Sequence, residues 1–257
     1  MNSLHIFFAI GACLAPFLAL VLTGVSAEKG WLYALIVSGV LSLLAVIAGL
    51  FVKMDLTSTA SADAAGGESD TSLAFFNDPL FVLTLIMGIC DQALEASLMG
   101  WLTTYYLETG IVSEQVSQLT TSLLWFAFLV GRMICMVIAV KYRPDKMLLV
   151  MGCGTAVFMI LLVVSMNAVL LFVSTIGLGL CLSGVYGTAV SNASGIFAKY
   201  SSAMGLYVTI AGIGGAAAPA AIGLLADVSS VRIGFVVLAV VAGVLTFAVI
   251  ANTRLKK

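Results

Sequence analysis

The stretch PLFVLTLIMGICDQALEASLMGWLTTYYL, residues 79–107, decides how this chain folds. At a helical rise of about 1.5 Å per residue it is long enough to cross a hydrocarbon core of about 30 Å. Its only charged residues are Asp91 and Glu95, and no lysine or arginine occurs between Lys53 and Arg132. The stretch therefore predicts a membrane helix that carries two acids one turn apart.

The composition of the whole chain agrees with this prediction. Apolar residues make up 62% of the 257 residues and charged residues 9%, whereas about 25% of a soluble domain is charged. So few charges cannot cover a water-exposed surface, and only helices or closed barrels satisfy the backbone in lipid. We expect an all-α membrane protein with about eight transmembrane helices. The predicted spans are 4–24, 31–52, 79–107, 114–141, 147–165, 168–192, 203–226 and 232–252.

The connections predict a division into three parts. Residues 1–53 hold two transmembrane helices, residues 54–78 are polar and rich in Ser, Ala and Gly, and residues 79–257 hold a six-helix bundle. The composition of the middle part is typical of a flexible linker. Most basic residues fall on the side of both chain ends and this linker, and only Lys29 and Arg232 fall on the other side. The positive-inside bias therefore predicts cytoplasmic termini.

Several classes of function are excluded by composition. A net charge of −1 gives no basic surface for nucleic acid. The five cysteines are scattered singly, and His5 is the only histidine. We therefore expect no metal site, no cofactor and no enzyme activity.

The two acids of the third span are the first candidates for a functional role. Asp91 and Glu95 share one helix face, and two neighbouring carboxylates at low dielectric resist double ionisation. We therefore expect at least one to be protonated, or to exchange its proton, near neutral pH. Such acids indicate a proton relay or a site for a polar substrate. The alternative is that Asp91 pairs with Arg132 only to hold helices together.

Arg132 of the fourth span lies nine residues before Lys141, or about 13 Å below the end of its helix. This depth is within reach of Asp91 for an arginine side chain. We predict either a gate or coupling charge that changes partners, or a side chain that extends to the membrane interface.

Polar and aromatic residues supply further candidates. Ser183, Tyr186, Thr188, Ser191 and Asn192 follow one another along the sixth span. They predict either a watery cavity or hydrogen bonds between helices, and the sequence does not decide between the two.

Trp31, Trp101, Tyr105 and Tyr106 suit an interfacial aromatic belt. Trp101 is also near enough to Glu95 to stack on a ligand.

The seventh span, which includes GIGGAAAPAAIGLLAD, is rich in small residues. They allow another helix backbone to approach closely, and the proline bends the span. The residues assigned to helix packing are Gly212, Gly214, Gly215, Pro219 and Gly223.

These motifs together resemble the major facilitator superfamily, and within it the fucose-permease-like branch of sugar and proton symporters. MNSLHIFFAIGACLAPFLAL resembles the fifth helix of that branch, and LEASLMGWLTTYY resembles the seventh, with Glu95 and Trp101 on its acid and tryptophan. GRMICMVIAVKYRPDKMLL resembles the eighth helix with the basic loop after it, and GIGGAAAPAAIGLLAD resembles the eleventh. The resemblance covers nearly the whole chain.

The resemblance implies the last eight helices of a twelve-helix transporter, with the first four missing. It implies a permease of the cell membrane that carries a small polar solute such as a sugar by alternating access, with proton coupling. Glu95 would be the cavity acid, Asp91 and Arg132 a charge pair sensitive to conformation, and Trp101 and Asn192 ligand contacts. The implied partners are lipid, the solute, protons and a separate four-helix segment. The alternative is a non-transporting membrane scaffold or regulatory subunit.

Overall fold

The structure is a computed structural model that describes residues 2–26, 28–51 and 73–255. No strand occurs in these ranges, so the all-α prediction is confirmed. A 3-10 helix, Ala74–Asn77, precedes the third α-helix. The α-helices are α1 Asn2–Val25, α2 Gly30–Phe51, α3 Pro79–Thr109, α4 Glu114–Gln118, α5 Thr120–Ala139, α6 Pro144–Val164, α7 Ala168–Leu182, α8 Val185–Asn192, α9 Ser194–Lys199, α10 Ala203–Val228 and α11 Val231–Leu255.

The helices match the eight predicted spans. In the described part of the chain, seven helical segments are long and apolar enough to cross a membrane, and Leu14–Val25 of α1 is a shorter apolar helix. The span predicted at 114–141 contains α4 and α5, and the span predicted at 168–192 contains α7 and α8. A membrane protein with helical spans is therefore confirmed.

Local sequence sets both ends of α3. The Asp78 side chain accepts a hydrogen bond of 2.8 Å from the backbone N–H of Leu80, and Pro79 occupies the first helical position. Both features favour the start of a helix at this point. Gly110 follows the helix with a φ of 62°, a left-handed conformation that glycine adopts without a steric cost. The membrane helix is thus fixed between Asp78 and Gly110.

The predicted sixth span is confirmed at Ala168–Asn192, and within it the regular α-helix is interrupted at Ser183 and Gly184. A β-carbon at Gly184 would collide with the sulfur of Cys135 on α5. Glycine allows this close approach and is also a poor helix former. The interruption makes α8 a separate short helix, which packs against α3 and α6.

The core of the bundle forms around α3. Helix α10 packs along α3, α11 packs against both α3 and α6, and α7 packs between α5 and α6. Tyr105 and Tyr106 are among the largest fully buried side chains. Their assignment to an interfacial belt was therefore wrong, because both rings face the bundle interior, where their hydroxyls find partners. Trp31 of α2, by contrast, is exposed.

The small residues of α10 allow its close approach to α3. A β-carbon at Gly214 would collide with the backbone oxygen of Ile89, and one at Gly223 would lie 3.2 Å from the Trp101 ring. Gly215 lies opposite Gln92. At Gly212 a β-carbon would meet nothing within 4 Å, because two residues rotate the helix by about 200° relative to Gly214. Gly212 therefore does not belong to the packing face, unlike the prediction.

The predicted linker lies largely outside the described residues, which resume at residue 73. At its end, the 3-10 helix buries Phe75 against the rings of Phe81 and Tyr200. Helix α1 packs against α5, and α2 packs against α1. The bundle of α3–α11 therefore contains the buried core on which the site is built.

Candidate solute site

A cavity of about 420 Å³ lies between α5, α8 and the start of α6. Its volume is within the range of about 300–1,000 Å³ that small-molecule sites occupy. Met133 and Met136 contribute apolar surface on the side of α5, and Arg132 contributes a positive charge. The cavity can therefore hold a small solute and offer it both apolar and charged contacts.

The polar residues of the sixth predicted span divide between the two roles that the sequence left open. Ser183, Tyr186, Thr188 and Ser191 all line the cavity. Asn192 is buried, and its Nδ2 donates a hydrogen bond of 3.0 Å to Oδ1 of Asn252 on α11. These four residues thus line the cavity, with the Ser183 hydroxyl donating to the backbone oxygen of Leu180 at 2.9 Å, whereas the asparagine connects two helices.

Arg132 is the charged group of the cavity. Its side chain is half-buried and makes no hydrogen bond or salt bridge with any described residue. It lies within electrostatic range of both Asp91 and Glu95. A half-buried guanidinium with five N–H donors and no protein partner is suited to bind an oxygen-rich solute.

The two acids of α3 occupy different environments. Asp91 is fully buried, and neither carboxylate oxygen has a hydrogen-bond partner. Glu95 is half-buried and also makes no hydrogen bond to a described residue. The salt bridge found in the described ranges joins Arg143 to Asp145 at 3.1 Å. The predicted contact between Asp91 and Arg132 is thus absent from this conformation, because Asp91 faces the bundle interior and not the cavity.

Tyr207 was missed in the sequence. It lies on α10, is fully buried, and its hydroxyl has no hydrogen-bond partner in the part of the chain that the structure describes. Its ring centroid is 5.1 Å from that of Tyr186, which lines the cavity. Both tyrosines lie within electrostatic range of Asp91. The available signal was one tyrosine in a span otherwise built of small and apolar residues.

Trp101 connects α3 to α10. Its indole N–H donates a hydrogen bond of 3.0 Å to the backbone oxygen of Pro219. Its ring packs on Gly223. In this conformation the indole N–H is engaged within the protein, and a role in stacking on a solute stays a prediction.

At the carboxyl-terminal end of α3, the polar groups have partners. The Tyr105 hydroxyl donates to the backbone oxygen of Leu162 at 3.0 Å, and the Tyr106 hydroxyl lies 2.8 Å from the Thr175 hydroxyl. Glu108 accepts a hydrogen bond of 3.1 Å from the backbone N–H of Val231, at the start of α11. This end of the helix is therefore tied to α6, α7 and α11.

Comparison with known proteins agrees with this architecture. The family model of the Major Facilitator Superfamily matches residues 108–256, which is more than half of the chain. The matched region contains Arg132 and the hydroxyl-lined α8, whereas Asp91, Glu95 and Trp101 precede it. No match to an individual curated protein was found. On this match, on its helical spans and on its solute-sized cavity, the chain belongs to the Major Facilitator Superfamily.

Proposed function

We propose that this chain is part of a secondary active transporter for a small polar solute such as a sugar, of the fucose-permease-like branch. The observation that carries the proposal is the cavity lined both by Arg132, which has no hydrogen bond or salt bridge among the described residues, and by Ser183, Tyr186, Thr188 and Ser191. Hydroxyl and guanidinium groups are suited to hydrogen-bond the hydroxyl groups of a sugar. The apolar wall of the cavity suits the carbon face of a sugar ring.

The acids of α3 supply proton coupling in this proposal. Glu95 is half-buried and within electrostatic range of Arg132. Glu95 does not line the cavity in this conformation, and we assign it as the acid that reaches the cavity and releases its proton when Arg132 comes near. Asp91 and Arg132 form a charge pair in another conformation, when rocking of the helices brings the two groups together. Trp101 and Asn192 become solute contacts in that conformation.

Alternating access requires two bundles that rock against each other about a central site. The six-helix bundle of α3–α11 is one of them in our proposal. Helices α1 and α2 join the other, together with a four-helix segment on the same or a separate chain. Among the described residues, α2 packs mainly on α1, and its apolar span is not buried, which leaves surface for this assembly. We further propose that the transporter resides in the cell membrane with both termini in the cytoplasm.

The test is uptake of a panel of radiolabelled sugars into proteoliposomes that contain the chain, with and without a co-expressed four-helix segment. We expect uptake of at least one sugar by the completed assembly, driven by an inward proton gradient. Glu95→Gln abolishes the dependence of uptake on pH. The matched control is Glu108→Gln, on the same helix, because glutamine retains the oxygen that accepts from Val231.

Two results would contradict the proposal. Equal uptake by the Glu95→Gln protein at every pH removes the assigned role of Glu95. Absence of uptake for the whole panel, by a correctly folded assembly, favours a scaffold or regulatory subunit in place of a transporter.

A further inference from the structure

The middle of α3 and the facing part of α10 bury four polar atoms that have no hydrogen-bond partner among the described residues. They are both carboxylate oxygens of Asp91 and the hydroxyl oxygens of Ser97 and Tyr207, and each residue is 0% exposed. Polar groups buried without a partner are costly, and native proteins rarely leave them so. The carboxylate of Asp91 and the hydroxyl of Tyr207 call for an explanation together, because they lie within electrostatic range of each other.

Gly88 brings the two side chains to the same place. A β-carbon at Gly88 would lie 2.7 Å from the Tyr207 hydroxyl oxygen, so the phenol of Tyr207 rests directly on this glycine. Gly88 precedes Asp91 by three residues, and residues at this spacing are neighbours on one helix face. The Tyr207 hydroxyl is thus placed beside the turn of α3 that carries Asp91, and the two groups are within electrostatic range.

Asp91 lies outside the solute cavity, but some of its neighbours line it. The titratable groups that interact with it are Cys90 and Glu95 on α3, Arg132 on α5, Tyr186 on α8 and Tyr207 on α10. Arg132 and Tyr186 line the cavity, whereas Asp91 does not. The ring of Tyr186 contacts that of Tyr207 at 5.1 Å between centroids. Two tyrosines therefore lead from the cavity to the buried acid.

We propose that Asp91 and Tyr207 form a buried pair that binds one proton, apart from the solute cavity. The loaded Asp91 carboxyl donates a hydrogen bond to the hydroxyl oxygen of Tyr207. During loading, Asp91 takes its proton from a hydronium ion that enters from the cavity side, past Tyr186, and a water molecule is left behind. One O–H bond breaks in the hydronium ion and one forms on Asp91, while Tyr207 keeps its own proton and accepts the hydrogen bond of the loaded acid. Tyr207 is thus a positioning residue for the acid.

This inference deepens the proposed function, and it rests on that proposal only for the use to which the bound proton is put. It adds Asp91 to Glu95 as a second acid that binds a proton, and it leaves solute contact to the cavity around Arg132. Because the pair is defined without a solute, it can be tested without knowing which solute is carried.

The experiment is infrared difference spectroscopy of the purified full chain in lipid nanodiscs, between acidic and alkaline pH. The wild-type protein is expected to show the C=O band of a protonated, hydrogen-bonded carboxyl group. The band assigned to Asp91 is lost in Asp91→Asn and retained in Glu95→Gln, which distinguishes it from a band of Glu95. Tyr207→Phe moves it to higher frequency, because the carbonyl bond stiffens when the carboxyl group loses its hydrogen-bond partner.

Matched variants separate this effect from general disturbance of the bundle. Tyr105→Phe also removes a hydroxyl from a buried tyrosine, one that bonds to Leu162, and leaves the band unchanged. Gly88→Ala displaces the Tyr207 phenol while keeping its hydroxyl, and is expected to shift the band as Tyr207→Phe does. Gly100→Ala lies on the same helix, meets nothing within 4 Å and leaves the band in place.

Two results would contradict the proposal that Asp91 and Tyr207 form a proton-binding pair. The first is the absence of any such band that Asp91→Asn removes. The second is an Asp91 band whose frequency is the same in the wild type, Tyr207→Phe and Gly88→Ala. If Tyr207→Phe does not fold, Gly88→Ala decides alone. A band that behaves as expected in a protein that takes up no sugar supports the pair and counts against the proposed function only.

Discussion

The middle and the carboxyl-terminal end of α3 differ in whether their polar side chains have hydrogen-bond partners. At the end of the helix, Tyr105, Tyr106 and Glu108 each have a partner on another helix. In the middle, Asp91 and Glu95 have no hydrogen-bond partner among the described residues, although the same helix carries both sets.

Along this one helix, the residues that we expect to stabilise the fold are therefore different from those that we propose to act in transport. Paired polar groups fix the end of α3 to α6, α7 and α11, and we expect them to contribute to the free energy of unfolding. Unpaired polar groups in the middle of α3 lower the free energy of unfolding, because they lose hydrogen bonds to water on folding and gain none. A protein retains such groups where a ligand, a proton or a second conformation supplies the partner. Substitutions in the two regions should therefore affect different measurements.

The largest effect is expected at Arg132, the charged residue of the cavity, which is within electrostatic range of the two acids in the middle of α3. Arg132→Ala removes the charged donor, and a hydrogen bond to a charged group contributes about 1.5–3 kcal/mol. Uptake of the sugar that the wild-type assembly carries should fall roughly tenfold to hundredfold. The control is Arg232→Ala, which removes an exposed arginine that donates to the backbone oxygen of Val163 near the opposite end. Equal uptake by both variants would show that the cavity is not the solute site.

The second effect concerns the contact that holds α10 against the middle of α3. Gly214→Ala places a methyl group against the backbone oxygen of Ile89, which cannot move aside as a side chain would. Overpacking of this kind costs about 1–3 kcal/mol, and the midpoint of thermal unfolding in detergent should fall. Gly212→Ala is the matched control, since its methyl group meets nothing within 4 Å. A Gly214→Ala protein as stable as the control would mean that the two helices are not so close.

Much of this architecture could be predicted from the sequence, because a membrane span requires a continuous apolar stretch of sufficient length. Length and apolar content located the spans, and the small residues of α10 indicated a close helix contact. The break at Gly184 could not be predicted, because its cause is the Cys135 sulfur on another helix. The same holds for Gly212, whose rotation away from α3 depends on how α10 is docked.

The sequence indicated which residues form the candidate site, but it did not indicate which groups each of them contacts. Asp91, Glu95 and Arg132 stand out because charges are rare in lipid. Which hydroxyls of the sixth span face the cavity depends on the rotation of α8, and no sequence pattern fixed it. Tyr207 passed unnoticed because a single tyrosine is ordinary in a membrane helix. Its importance follows only from the position of its hydroxyl over Gly88, beside Asp91.

The third effect belongs to the paired end of α3. Glu108→Ala leaves the backbone N–H of Val231 without its acceptor at the start of α11. Loss of such a cap costs about 0.5–2 kcal/mol, so thermal unfolding should shift to lower temperature. Uptake per folded molecule should stay at the wild-type level, because Glu108 lies outside the cavity. A loss of uptake without a loss of stability would contradict the separation of the two regions.

The smallest effect is expected from the pair of hydroxyls at the same end. Tyr106→Phe removes one partner of the 2.8 Å hydrogen bond to Thr175, and both residues are 0% exposed. The expected cost is about 0.5–1.5 kcal/mol of unfolding free energy. Thr175→Val should cost a similar amount, and the double variant should cost less than the sum of the two, since each single change already breaks the bond. Additive effects in this double-mutant cycle would show that the hydroxyls are not paired. The hydroxyl groups at the end of α3 would then lack hydrogen-bond partners, as the acids in its middle do.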